Sequence, residues 1–229
     1  MEILQDGELA RVVLPGGDLL TLLKRGDDFE IRFNLLELMS SRNAVSEQAL
    51  AQLACARLGG GAADILIGGL GMGYTLRSVL DHVGERARVT VAELIPEVVE
   101  WNRGPLAGLA DRPLADPRVA LHTGDVAAIL RASPRRFDAV LMDVDNGPEA
   151  ILFPSNQALY SREGVELVLS ALKPGGVLGL WAADRSPAFE HVLKTACLPV
   201  ERVEVSVGAD GAGRTHTLYL AWNKVGSVR

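Results

Sequence analysis

The sequence contains few cysteines and no long apolar segment. Only Cys55 and Cys197 are present, and neither belongs to a CxxC pair. This usage argues against a disulfide framework or a zinc site and favours two reduced, partly buried thiols. No stretch reaches the roughly 18 apolar residues that a membrane-spanning helix needs. The histidines show no metal-ligand spacing, so we predict no metal site and expect structural or surface roles for His82, His122, His191 and His216.

Positive charge is also scarce. The 229 residues include 23 Lys and Arg against 29 Asp and Glu, a net charge of −6, and the arginines are scattered. Binding to a phosphate backbone needs clustered cations, so we expect no nucleic-acid partner. The opening residues MEILQDGELARVV lack the apolar core of a secretory signal. We therefore expect a cytoplasmic protein without a membrane partner, whose mild acidity favours a cationic small molecule.

Residues 1–45 differ in pattern from the remainder. Short extended segments are interrupted by two turn signals, Pro15-Gly16-Gly17 and Gly26-Asp27-Asp28. They predict a small N-terminal β-hairpin or meander, whose open strand edges suit a homodimer. The segment SEQALAQLACARL then predicts a helix with Ser46 as its N-cap.

Residues 46–229 alternate between apolar strand patterns and amphipathic helix patterns. Five strand–helix units are followed by two strands that leave no room for a helix between them. In the fourth unit the segment KPGG, residues 173–176, is predicted to stop the helix REGVELVLSAL before the strand VLGLWAA. This order predicts an α/β Rossmann-like domain with seven strands, mostly parallel, helices on both faces and a terminal antiparallel hairpin.

A glycine-rich turn, ILIGGLGMGYT, follows the first strand of this domain. The phosphate-loop pattern fails because Tyr74 stands where a lysine is needed, and the dinucleotide pattern GxGxxG meets the same residue at its third glycine. The pattern GxGxG fits at Gly69, Gly71 and Gly73. It predicts a turn that approaches a nucleotide closely, although a plain tight strand–helix turn is the alternative.

Acidic residues end the following three strands. Glu93 can accept hydrogen bonds from both hydroxyls of a ribose, or lie in solvent at its strand end. Asp125 can face an adenine amino group, or only cap the helix that follows. Asp143 and Asp145 end the next strand and can hold an amine and take its proton, although at least one of them is expected only to cap the loop. Ligands bind at this edge of such sheets.

These residues resemble the class I S-adenosylmethionine-dependent transferases, whose methyltransferase fold is Rossmann-like. Within them they look most like the spermidine synthase, or polyamine aminopropyltransferase, family. The likeness covers roughly residues 62–182. It is carried by the segments ILIGGLGMGYTLRSVL, VTVAELIPEVVEWN, LHTGDVAAIL, FDAVLMDVDNGP and LYSREGVELVLSALKPGGVL.

The resemblance implies a role for each group of residues. The glycine turn would hold the methionine part of the donor, the second strand end its ribose, and the third its adenine. Asp143 matches the family's acid beside the reacting amine, and Asp145 lies in the same loop. The expected donor-binding residues are Gly68, Gly69, Gly71, Gly73, Glu93, Leu94, Asp125 and Val126, and the expected acceptor-binding residues are Asn146, Tyr160 and Trp181.

Two departures from the family pattern bear on the reaction. Gly71 stands where spermidine synthases carry an Asp that pairs with the amino group of the decarboxylated donor. The family's Tyr-His pair is also missing, since residues 38–58 contain neither residue type. We therefore expect intact S-adenosylmethionine as the donor and methyl transfer to a small, amine-bearing acceptor.

Three alternatives to methyl transfer remain. The first is aminopropyl transfer to a polyamine from decarboxylated S-adenosylmethionine. The second is a binding module that keeps the fold but has lost turnover, as the missing acceptor anchors suggest. The third is a nicotinamide-dependent oxidoreductase, which Tyr74 and the closing hairpin disfavour.

Overall fold

The structure is a computed structural model of the chain. It describes residues 7–59, 61–196, 198–207 and 213–222. Of the two cysteines, Cys55 is buried and free, whereas Cys197 lies outside the described residues. No helix in the described ranges is long and apolar enough to cross a membrane.

The N-terminal region forms a four-stranded antiparallel sheet in which each strand pairs with the next. Its second turn contains Gly26 at a φ of +63°, a left-handed conformation that glycine adopts without strain. Alternate side chains such as Leu20, Leu22 and Ile31 are buried, so one face packs on the rest of the protein. The predicted meander is therefore confirmed. Its strands are β1 (Glu8–Val13), β2 (Leu19–Arg25), β3 (Asp28–Phe33) and β4 (Leu36–Ser40).

The larger sheet has seven strands in the order β10-β11-β9-β8-β5-β6-β7. The five strands from β9 to β7 are parallel, whereas β11 is antiparallel to both of its neighbours. This arrangement confirms the predicted Rossmann-like sheet with a terminal hairpin. The strands are β5 (Asp64–Gly68), β6 (Arg88–Glu93), β7 (Val119–Thr123), β8 (Phe137–Met142), β9 (Leu172–Ala182), β10 (Val200–Ser206) and β11 (Thr215–Trp222).

Helices cover both faces of this sheet. Pro96 stands at the first helical turn of its helix, where its missing N–H costs nothing, and Gly104 follows the last turn. Short 3₁₀ helices at Pro113–Ala115 and Pro154–Tyr160 complete the connections. The helices are α1 (Val45–Cys55), α2 (Tyr74–His82), α3 (Pro96–Arg103), α4 (Val126–Ala132), α5 (Arg162–Ala171) and α6 (Pro187–Thr195).

Two local predictions are wrong. Ser46 is not the N-cap of α1, because the helix begins at Val45 and its N-cap position is Ala44. The segment Lys173–Gly176 does not separate α5 from the next strand. Instead, β9 begins directly at Leu172, and the segment forms an irregularity in its pairing with β8.

The core lies in two layers, one on each face of the parallel sheet. Ile65 and Ile67 of β5 belong to the layer that includes α1 and α2, whereas Leu66 belongs to the layer of α4, α5 and α6. Burial on both faces explains the continuous apolar run of this strand. Leu20 and Ile31 of the N-terminal sheet share the first layer. This packing holds the small sheet over the carboxyl edge of the large one.

Candidate active site

A cavity of about 570 Å³ lies at the carboxyl ends of the parallel strands. Residues that follow β5, β6, β7, β8 and β9 line one side of it, and the N-terminal sheet contributes Leu20, Ile31 and Met39 to its cover. Ligands of open α/β sheets bind at this edge. The volume lies within the range of about 300–1,000 Å³ that is usual for small-molecule sites.

The glycine turn contributes Gly69 and Gly71 to the cavity wall. Both have positive φ, +90° and +52°, and a Cβ on Gly69 would lie only 2.0 Å from the carbonyl oxygen of Asp143. Gly68 and Gly73 do not line the cavity. A Cβ on Gly68 would meet Val126 and Met142, and one on Gly73 would meet Asn102 and Pro113, so these glycines allow close packing instead.

Glu93 organises the floor of the cavity. Its side chain accepts hydrogen bonds from the N–H of Leu70 in the glycine turn, at 2.9 Å, and from the N–H of Ile95, at 2.8 Å. The residue is only 7% exposed, so the alternative of a solvated strand end is wrong. Burial raises the pKa of this carboxyl, while the backbone hydrogen bonds oppose the rise.

Asp125 caps α4, since one of its carboxylate oxygens accepts a hydrogen bond from the N–H of Ala127 at 2.8 Å. Asp125 also lines the cavity, so the capping role and the predicted ligand role are compatible. Val126 and Leu94 line the same wall, and Leu94 is 41% exposed. The expected donor-binding residues other than Gly68 and Gly73 therefore lie around one space.

Asp143 follows β8 directly and lines the cavity beside the glycine turn. Its Oδ2 accepts a hydrogen bond from the Thr75 hydroxyl at 2.6 Å. Burial, together with the negative charge of Glu47, raises the pKa of Asp143 to about 7, while the Thr75 hydrogen bond lowers it. A carboxyl that titrates near neutral pH is suited to proton transfer.

Asp145 also lines the cavity, but its carboxylate bonds to its own loop. Its two carboxylate oxygens accept hydrogen bonds from the Phe153 N–H at 3.2 Å and from the Asn156 amide at 2.8 Å. Its φ of +53° is left-handed, which suits a short polar side chain in a tight loop. The adjacent Asn146 lines the cavity, and its carbonyl accepts a hydrogen bond from the N–H of Ala183. Of the two acids, Asp145 is therefore the one that stabilises the loop.

Of the two aromatic residues expected near the acceptor, Trp181 lines the cavity and Tyr160 does not. The Tyr160 side chain is buried, its hydroxyl donates to the carbonyl of Val144 at 2.8 Å, and its ring packs against Phe189. It stabilises the segment behind the cavity. Trp181 donates from Nε1 to the hydroxyl of Ser46 at 3.0 Å.

Sequence reasoning missed Met39. This residue of β4 lies directly over the glycine turn, and its Sδ accepts a hydrogen bond from the N–H of Met72 at 3.1 Å. A Cβ on Gly71 would lie 2.6 Å from Met39 Cε. The Met39 thioether therefore occupies the space next to the position where the resembling family carries an acid.

Glu47 and His216 were also missed as cavity residues. Glu47 is only 6% exposed, and burial raises its pKa. His216, expected to be structural or on the surface, lines the cavity and packs edge-on against Trp181, with ring centroids 4.7 Å apart. Glu47 follows Ser46 in the segment where the family carries its Tyr-His pair. The absence of that pair from this segment was the one sequence signal that could have pointed to Glu47. Nothing in the sequence indicated His216.

Comparison with known proteins identifies the family. The family model described as the spermine/spermidine synthase domain matches residues 45–198, from the start of α1 to just beyond α6. The chain belongs to this family. The family assignment made from the glycine turn and the strand-end residues is thus confirmed, while β1–β4, β10 and β11 lie outside the matched range.

Curated relatives of this family member match over part of their length. Polyamine aminopropyltransferase 2 of Pseudomonas aeruginosa is 40% identical over 127 residues, which are 54% of this chain and 34% of that protein. Polyamine aminopropyltransferase of Nitrosomonas europaea is 32% identical over 134 residues, 56% of this chain and 38% of that protein. The match thus spans little more than a third of the length of these relatives.

A solved structure extends the likeness over nearly the whole chain. Spermidine synthase from Thermotoga maritima superposes with a TM-score of 0.76 at 16% identity, over 96% of this chain and 74% of that one. At this identity the likeness concerns the fold. It includes the regions beyond the family match, because residues 45–198 alone could not account for the 96%.

Proposed function

We propose that this protein transfers an alkyl group from an S-adenosyl sulfonium donor to an amine, with Asp143 as the general base. The observation that carries the proposal is the position of Asp143. Its carboxylate lines the cavity next to the glycine turn, and its pKa is raised to about 7. An amine loses a proton when its nitrogen is alkylated, and Asp143 is suited to accept that proton.

The donor side of the cavity supports this function. Gly69 and Gly71 present backbone without side chains, Glu93 offers carboxylate oxygens to ribose hydroxyls, and Asp125 lies further along the same wall. The sulfonium of such a donor is already a strong electrophile, so the protein has to align the reacting groups and remove protons from the amine. Glu93 also links the glycine turn to the loop after β6, which favours a rigid donor site.

Aminopropyl transfer is the reaction that the family and the named relatives support. Curated relatives from several organisms are named polyamine aminopropyltransferases, and a solved spermidine synthase shares the fold. We therefore propose decarboxylated S-adenosylmethionine as the donor and a polyamine as the acceptor. This reverses the preference for methyl transfer that the sequence alone suggested.

Methyl transfer is the second candidate, on one specific observation. Gly71 offers no carboxylate to the amino group of a decarboxylated donor, and Met39 covers this position with an uncharged thioether. A site without that acid does not repel the carboxylate of intact S-adenosylmethionine. The same site therefore admits the intact donor at this position.

Calorimetry and product analysis test both candidates. The protein is titrated with each of the two donors and then incubated with the donor and a short aliphatic diamine. Aminopropyl transfer yields an extended triamine and methylthioadenosine, whereas methyl transfer yields a methylated amine and S-adenosylhomocysteine. If neither donor binds at millimolar concentration, or a bound donor alkylates no amine in an acceptor screen, the proposed function is wrong and a binding module becomes the better description.

We also propose a division of labour along the chain. Residues 1–45 serve as a cover that contacts the acceptor, and residues 46–229 form the donor-binding transferase domain. The contribution of Leu20, Ile31 and Met39 to the cavity supports the first part. Among the residues that the structure describes, the outer strands β1 and β4 each have one paired neighbour, which leaves an edge for a second copy of the chain. Sedimentation analysis would reveal the homodimer that this open edge supports.

A further inference from the structure

The hydroxyl of Ser46 lies at the centre of a cluster of four side chains at the cavity. Ser46 Oγ is 2.6 Å from Glu47 Oε2, 2.8 Å from His216 Nδ1 and 3.0 Å from Trp181 Nε1. Glu47, Trp181 and His216 all line the cavity. The cluster joins α1, β9 and β11, so it exists only once the terminal hairpin has paired with the parallel sheet.

The hydrogens of this cluster can be counted. A serine hydroxyl has one hydrogen to donate and two lone pairs that accept, and the indole N–H of Trp181 can only donate. If Ser46 donates to an ionised Glu47, the remaining lone pair must receive a hydrogen from His216 Nδ1. His216 is then the Nδ1–H tautomer, and its Nε2 is a free acceptor.

A second arrangement satisfies the same three contacts. If Glu47 is protonated, it donates to Ser46, and the Ser46 hydroxyl turns to donate to His216 Nδ1. His216 is then the Nε2–H tautomer, and Nε2 has become a donor. Trp181 donates to Ser46 Oγ in both arrangements. The two states therefore differ by one proton on Glu47 and by the reversal of two hydrogen bonds, with no change in side-chain positions.

The electrostatic surroundings permit both states. Burial and the charge of Arg214 lower the pKa of His216 to about 4, so its ring is neutral at ordinary pH. Burial raises the pKa of Glu47. The charged groups that act on the cluster from neighbouring segments are Asp143 at the end of β8, Asp184 after β9 and Arg214 before β11. The titratable Tyr74 at the start of α2 also faces Glu47, whose charge contributes to the raised pKa of this phenol. His216 and Arg214 lie beyond the range matched by the family model.

We propose that Glu47, Ser46 and His216 form a proton relay that opens on the cavity through His216 Nε2. The acceptor amine, an ammonium at neutral pH, loses one proton before it attacks, and Asp143 accepts the second proton, which is lost on alkylation. The first proton, taken at Nε2, is matched by the transfer of the Nδ1 proton to Ser46 Oγ and of the Ser46 proton to Glu47. Through the relay, one proton leaves the amine and one arrives at Glu47. The use of the relay in catalysis rests on the proposed alkyl transfer, whereas the coupling of tautomer to Glu47 does not.

Nitrogen NMR of the histidine rings tests the coupling without any substrate. In the 229-residue chain, His216 is expected to be the Nδ1–H tautomer above the titration of Glu47 and to convert to Nε2–H as the pH falls. The E47Q variant keeps one tautomer ratio across this range. The S46A variant loses the conversion although Asp143, Asp184 and Arg214 remain, which separates the relay from a simple effect of nearby charge.

Two results overturn the relay: His216 as the Nε2–H tautomer at every pH, or the same pH response in the wild type and in S46A. Steady-state kinetics test whether the relay is used in catalysis. The H216Q variant is expected to lose about 100-fold in kcat with unchanged donor affinity, whereas H191Q, at an exposed position on α6, loses nothing. If no alkyl transfer is detected in the wild type, the proposed function fails while the NMR result still decides the coupling. If transfer occurs and H216Q retains full kcat, the catalytic use of the relay is wrong.

Discussion

The two walls of the cavity are built in different ways. The strand-end wall, Gly69, Glu93, Asp125 and Asp143, consists of residues at or within two positions of the ends of parallel strands. The opposite wall, Met39, Glu47, Trp181 and His216, combines β4, α1, β9 and β11, and the buried Ser46 supports it by accepting a hydrogen bond from Trp181. The first wall follows from the topology of the sheet, because strand ends meet at one edge. The second depends on how three separate parts of the chain pack together.

The comparison also concerns charge. Glu93 and Asp143 in the strand-end wall and Glu47 in the opposite wall all have raised pKa values, mainly because of burial. The negative charge of Glu47 contributes to the raised pKa of Asp143. The two walls therefore act on each other electrostatically across the cavity. A cationic amine held between them would relieve this repulsion.

The largest effect should come from removing the carboxylate of Asp143. We expect Asp143→Asn to lower kcat by about 100- to 10,000-fold, because a general base contributes this much, while donor affinity is retained. Steady-state kinetics with calorimetry of donor binding measures both. Asp145→Asn is the matched control and should lose no more than about tenfold, because both oxygens of Asp145 are engaged in its loop. Equal losses in the two variants would contradict the assignment of Asp143 as the base.

A second effect tests how the strand-end wall is held. Glu93→Ala leaves the N–H groups of Leu70 and Ile95 without their acceptor, so the free energy of unfolding should fall by about 2–4 kcal/mol. Urea denaturation measures the change. Asp125→Ala, which removes a single helix cap, should cost only about 1 kcal/mol. A Glu93 variant as stable as the wild type would mean that Glu93 does not support the turn.

A third experiment changes the contact between the two walls at Gly71. Gly71→Asp alone should lower the free energy of unfolding by about 1–3 kcal/mol, because its Cβ would lie 2.6 Å from Met39 Cε. Adding Met39→Ala should relieve the overlap. The double variant should then bind decarboxylated S-adenosylmethionine roughly tenfold more tightly than the wild type does, through a charge-assisted hydrogen bond from the donor's amino group to the new carboxylate at position 71.

Calorimetry with both donors measures this preference. The double variant with Asn in place of Asp at position 71 has the same shape without the charge, and it should show no such gain. If the Asn and Asp forms bind the decarboxylated donor equally, charge at this position does not select the donor.

The two walls also differ in how far the sequence predicts them. The seven-stranded sheet followed from short apolar runs that alternate with helical patterns, and the strand-end acids followed from the sheet. Glycines with a purely structural role, such as Gly73, could not be separated from those at the cavity by spacing alone. Tyr160 was misassigned because nothing local shows that its hydroxyl meets the Val144 carbonyl.

The opposite wall escaped prediction for a physical reason. Ser46 and His216 are 170 positions apart, and their contact depends on the antiparallel insertion of β11 beside β9. Met39 is an apolar residue of β4, and its sequence pattern is that of an ordinary packing residue. Its position over Gly71 therefore has no sequence signature. Contacts between distant segments with no motif of their own become visible only in the folded structure.

The smallest expected effect is a change in the pKa of Asp143 in the strand-end wall, made without removing any charged group. Thr75→Val deletes the hydroxyl that donates to Asp143 Oδ2 at 2.6 Å and keeps the shape of the side chain. Because this hydrogen bond lowers the pKa of Asp143, its loss should raise that pKa further above the ordinary carboxyl value. One hydrogen bond is worth about 0.5–1.5 kcal/mol, and 1.36 kcal/mol corresponds to one pKa unit, so the expected shift is about 0.4–1 unit.

The base acts when Asp143 is ionised, so the rate should rise with pH through about 7 in the wild type and at a higher pH in Thr75→Val. Well above both values the two enzymes should have similar rates, because Asp143 is then ionised in each. A pH–rate profile measures this displacement. Thr75→Ser retains the hydroxyl and should leave the profile where it is. A lower rate at every pH, with no displacement, would mean that Thr75 acts on the packing of α2 rather than on the proton affinity of Asp143.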